Sequence, residues 1–110
     1  MNTTKISLSL GLLASATAVL ALPSMVGGFK SVAKPPKDSA LDKAACVICH
    51  VGHGPKLNAF GDDVKKALGK DKKITAGVLK KIGKLDSDKD GVKNADEIKK
   101  GTLPGDPQSK

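Results

Sequence analysis

The sequence predicts an all-α fold in a single small domain. Three observations carry that expectation. Apolar residues recur at helical spacing in three separate stretches beyond residue 38, capping residues and glycines stand where those stretches would start and stop, and no stretch alternates with the period of a strand. At 110 residues there is room for one core only. Phe29 and Phe60 are the only aromatic residues, Trp and Tyr are absent, and 27% of the chain is charged. Side chains alone would leave such a core short of volume, so some other group is expected to fill it.

Taken in order, residues 1–28 read as a targeting segment. Lys5 gives a short positive start, and the stretch from Ile6 to Leu22 is apolar with small residues interleaved. Cleavage is expected after Ala18, after Ala21 or at the Gly27/Gly28 pair. The expected location is therefore periplasmic or extracellular. Without cleavage the segment becomes a membrane anchor, since the run to Phe29 approaches the ~20 residues a bilayer requires; Pro23 and the many Ser, Thr and Gly argue against it. Residues 29–37, with Pro35 and Pro36, read as an extended linker.

The domain proper is expected over 38–103. Asp38 or Ser39 caps a first helix that runs to about Ile48, with Leu41, Ala44, Ala45 and Ile48 on one face. Gly52, Gly54 and Pro55 make 51–56 a loop. A second helix, 57–68, carries the stripe Leu57, Phe60, Val64 and Leu68 and stops at Gly69, while Gly61 weakens it locally. A third, 75–85, starts at Thr75 and sets Val78, Leu79, Ile82 and Leu85 against Lys80, Lys81 and Lys84. An acidic loop, 86–97, leads into a short helix at 94–100, and 104–110 reads as a flexible tail.

The formal charge is +8, and all 19 basic residues are Lys. Nucleic-acid binding does not follow, because base reading favours Arg and single-strand binding needs stacking aromatics. A solvated basic surface does.

Two patterns carry chemistry. The first is Cys46-Val47-Ile48-Cys49-His50. Two thiols three positions apart on a helical turn can each form a thioether with a haem vinyl group, which sets the neighbouring imidazole under the iron. A redox dithiol would want a βαβ setting, and a disulfide across two residues is strained. Zinc is the serious rival, with Cys46, Cys49, His50 and His53 inside eight residues; zinc sites, however, draw their ligands from two separated pairs.

The stretch CHVGHGPKLNAFG resembles the haem-binding segment of the c-type cytochromes. The resemblance covers about fifteen residues. It implies a small cytochrome c-like helical domain around one covalent haem c, with Cys46 and Cys49 as the attachments, His50 as axial iron ligand, and Phe60, Leu57, Ile48 and Val64 packed on the haem. In that family a methionine far downstream often supplies the second axial ligand. This chain has no Met after Met25. His53 lies three residues from His50, a reach of at most ~11 Å, too short to round the macrocycle and return from the other face. It is then a loop residue, or a ligand in trans to the haem of a second copy, through which the protein would self-associate. Met25, a lysine or an open position are the remaining expectations.

The second pattern is Asp86, Asp88, Asp90, Gly91, Asn94 and Glu97, which fits DxDxDG with a Glu at position twelve, an EF-hand-like helix-loop-helix. Asp86, Asp88, Asp90, Asn94 and Glu97 offer side chains to Ca²⁺, and Val92 its carbonyl. Lys93 stands where paired EF-hands carry an apolar residue, and the loop is more similar to the single loops of bacterial exported calcium-binding repeats. A structural metal is expected.

With no general base, nucleophile or phosphate loop in evidence, the chain is expected to carry electrons between redox partner proteins of the cell envelope and to catalyse nothing. The alternative is a five-coordinate haem protein that binds a small gas or peroxide.

Overall fold

A computed structural model of the protein describes residues 21–110, and side-chain surroundings from residue 25 onward. The described part is all-helical. Five α-helices follow in order: α1 Ala21–Ala33, α2 Ala40–Lys43, α3 Ala59–Leu68, α4 Ala76–Gly83 and α5 Asn94–Lys100, with a 3-10 turn at Cys46–Ile48 between α2 and α3. The one β-type pairing is an isolated antiparallel bridge between His50 and Leu57.

The helix starts follow local capping chemistry. Ser39 accepts from the Asp42 amide, Asn58 from the Gly61 amide and Thr75 from the Val78 amide, each satisfying a donor that the first turn leaves free. Most of the amphipathic stripes of α3 and α4 face inward: Phe60, Val64, Val78 and Ile82 are buried, whereas Leu85, expected on the same face but lying beyond the end of α4, is exposed. Phe60, Val64 and Ile82 join Leu41, Ile48, Ile74 and Ile98 in one core.

Three expectations are corrected. Residues 29–33 of the expected extended linker are helical, because α1 runs from Ala21 to Ala33, and Phe29 is 2% exposed within the core. Pro35 and Pro36 lie just beyond its end, where a missing amide and a fixed ring no longer matter to the helix. Residues 1–20 of the expected leader lie outside the described residues. No described helix is long and apolar enough to cross a membrane.

The continuous first helix is also broken. After α2 the chain is extended at Ala44, and Ala45 has φ −129°, ψ −100°. In a helix ending near Ile48 the carbonyls of Val47 and Ile48 would be left without an intrahelical partner. Here both accept from the Asn58 side-chain amide, at 3.2 and 3.1 Å, and the Asn58 backbone amide takes the Cys49 carbonyl. The turn is thereby tied to the start of α3.

Finally, the tail packs. Pro104 is fully buried, and the Leu103 amide donates to Ser109 Oγ at 2.9 Å.

Candidate functional site

Asn58 is the organiser of the cysteine-bearing segment. As the N-cap of α3 it binds the Gly61 amide with Oδ1, and with Nδ2 it holds the 3-10 turn from beneath. The His50 amide closes back on the Cys46 carbonyl at 2.9 Å, and the Val51 amide on Lys56 at 2.8 Å. Cys46, Cys49 and His50 therefore stand on a backbone whose conformation is set from outside.

Gly61 makes this clamp possible. A Cβ there would run into the Cys49 carbonyl, falling 2.9 Å from its carbon. The residue that weakens the helix locally is the one that lets α3 approach the turn.

Above the turn lies a mainly apolar cavity of about 490 Å³, within the range of a prosthetic-group pocket. Met25 and Phe29 of α1, Ile74, and the trio Cys46, Cys49 and His50 all line it. His53 and Ile48 line it too. Phe60, expected against the prosthetic group, does not: it sits behind Phe29, wholly buried, and Phe29 takes the place on the wall. Leu57 and Val64 are likewise absent from the lining.

Both cysteines are free thiols, Cys46 exposed and Cys49 partly buried. Burial pushes the Cys49 thiol up to about 11. A thiol so reluctant to ionise is a poor redox nucleophile. Nor do Cys46, Cys49, His50 and His53 bring three donor atoms within 4.8 Å of one another, whereas Asp86, Asp88 and Asp90 do. His50 Nδ1 is buried with no hydrogen-bond partner among the described residues.

The acidic loop is the second site. Asp86 Oδ2 accepts from the Gly91 amide, Asp88 Oδ1 from Asp90 and Asp90 Oδ1 from Val92, at 2.9, 3.2 and 2.9 Å, so one oxygen of each aspartate winds the loop. Gly91, at φ 92°, takes the left-handed turn at position six. The remaining oxygens Asp86 Oδ1 and Asp88 Oδ2, and both oxygens of Glu97, are buried without a partner.

Glu97 is 1% exposed. Burial, then the charges of Asp88, Asp90 and Asp86, push its carboxyl up to about 8. Burial likewise raises Asp88 to about 6, with the Asp90 charge adding against the pull of the Asp90 amide. Asp90 itself is lowered, chiefly by the Val92 amide. Asp86, Asp88 and Asp90 each offer a carboxylate oxygen within 4.8 Å of the others, an arrangement that could hold a metal ion.

Asn94, expected among the ligands, is committed elsewhere. Its Oδ1 accepts from the Ser87 amide, and its Nδ2 donates to the Ile82 carbonyl and Ser87 Oγ, at 3.2, 2.8 and 2.7 Å. Ser87 Oγ in turn donates to Asp63 of α3 at 2.6 Å. Asn94 locks the loop to α4, and through Ser87 to α3. The sequence reading missed Ser87 and Asp63: a serine inside an acidic loop is too common to stand out. No family model, curated protein or solved structure matches the chain.

Proposed function

We propose that the chain is an exported c-type cytochrome that carries electrons between redox partner proteins. Cys46 and Cys49 hold one haem through thioethers, and His50 is an axial ligand of its iron. The observation that supports this most is that all three residues open onto one mainly apolar cavity. The cavity offers what the small set of aromatic side chains cannot, a volume that a haem fills and that completes the core. Haem supplies the redox couple when bound; the chain's own part is to fix the turn through Asn58 and to exclude water with Phe29, Ile48 and Ile74.

The acidic loop, in this reading, holds a structural Ca²⁺. Asp86, Asp88, Asp90 and Glu97 are the side-chain ligands and Val92 contributes its carbonyl, while Asn94 supports the loop from behind. The four buried, unpartnered carboxylate oxygens support a hard cation over a solvated turn. The metal would join α4 to α5.

The test is the mass of the protein exported from cells competent in haem attachment. It should exceed the polypeptide by one haem that survives acid-acetone extraction, and the reduced protein should show a c-type absorption spectrum. Extractable haem, or zinc in its place, would sink the reading.

A further inference from the structure

We propose that Met25 of α1 supplies the sixth ligand of the haem iron, so that the N-terminal helix is a ligand-bearing part of the domain. This rests on the cytochrome reading above and goes beyond it.

The donors on the cavity wall decide the matter. Once Cys46, Cys49 and His50 are assigned, the lining residues that carry a side-chain group able to bind iron are Met25 and His53; no lysine is among them. His53 is disqualified by its tether. Gly52 turns at φ 59° and the Gly54 amide folds back toward the Val51 carbonyl, 3.4 Å away, so the loop that carries His53 is tighter than the ~11 Å that three residues can span.

Met25 comes from a different element, α1. It precedes Phe29 by four residues, so the two share one face of α1, and Phe29 is fixed by its edge contact with Phe60. Met25 is itself half-buried against the core, and both residues line the cavity. The helix has anchors independent of any prosthetic group: Lys30 Nζ donates to the Asp42 carbonyl, and α1 packs on α4. Apart from Met1, no other methionine exists in the chain. A thioether opposite an imidazole favours reduced iron, which suits a carrier of moderately high potential. The corollary is that processing must leave Met25 in place, which excludes cleavage at Gly27/Gly28.

The experiment uses the full chain, exported and haem-loaded, with intact mass giving both haem content and N-terminus. The ferric native protein should be low-spin with a near-infrared thioether-to-iron charge-transfer band. Met25→Leu should keep the covalent haem, lose the band and bind added imidazole or carbon monoxide readily. Met25→His should restore a low-spin iron at a lower potential, which separates ligation from packing. A band that survives Met25→Leu, a low-spin state that His53→Ala abolishes, or an N-terminus beyond residue 25 overturns the proposal while the cytochrome reading stands. A protein exported without covalent haem overturns both.

Discussion

Phe29 and Phe60, the only two aromatic residues in the chain, meet edge to face with ring centroids 5.9 Å apart and planes at 78°. One belongs to α1 and the other to α3, and both are buried. Such a contact adds to the area each ring buries. Phe29→Ala should therefore destabilise the protein by about 3 kcal/mol, the scale of a core Phe truncation, as read from the denaturant midpoint. A loss under about 0.5 kcal/mol, typical of surface positions, would mean that α1 is not part of the cooperative fold.

Gly61 offers a test by sign. In an ordinary helix Gly→Ala stabilises by roughly 0.5–1 kcal/mol. Here the new methyl meets the Cys49 carbonyl, so Gly61→Ala should instead cost about 1–3 kcal/mol, as overpacking does. It should also slow haem attachment, since the clamped turn is displaced. A stabilised variant would remove the close approach of α3 from the account.

The acidic loop sets a pH dependence in the metal-free protein. The Glu97 carboxyl is raised from 4.5 to about 8 in the fold, so through that window the native state keeps a proton the unfolded chain has released. Stability should be fully present below about pH 4.5 and fall as the pH rises toward about 8. Asp88, raised to about 6, adds to the same trend at its lower end. In chelator, Glu97→Gln should flatten the decline. With Ca²⁺ at about a hundred times its dissociation constant the native protein should gain roughly 2.7 kcal/mol, and the variant much less. Identical midpoints in chelator and Ca²⁺ would make the loop an acidic turn only.

Asn94 should behave unlike a ligand. Removing its buried carboxamide strands the Ser87 amide and the Ile82 carbonyl. Asn94→Ala should cost about 1–3 kcal/mol in chelator and in Ca²⁺ alike. A cost confined to the Ca²⁺-loaded protein would return Asn94 to the ligand set.

The two thiols should differ in reactivity before haem is attached. Cys46 is exposed, whereas burial holds Cys49 protonated, up to about 11. Alkylation at pH 8 followed by peptide mapping should label Cys46 first. Equal labelling would contradict the buried setting of Cys49.

Much of the local structure was legible in the residues. Ser39 and Thr75 cap as their side chains predict, and most of the stripes of the helices now described as α3 and α4 face the core, because capping and helical period act over a few residues. The spacing of Cys46, Cys49 and His50 and the acidic pattern from Asp86 to Glu97, on which the proposed function rests, likewise stand within short stretches of sequence. What the tertiary structure alone decided is which distant residues meet. That Phe29 of α1 packs into the core could not be read from a leader-like composition, because it depends on the meeting of Phe29 with Phe60, residues of two distant elements. The broken first helix, the need for glycine at position 61 and the bonding of Asn94 to Ser87 and Ile82 are likewise matters of long-range contact. Backbone polar groups are satisfied across the fold, by Asn58 on the turn and Asn94 on the loop, between residues that helical spacing does not bring together.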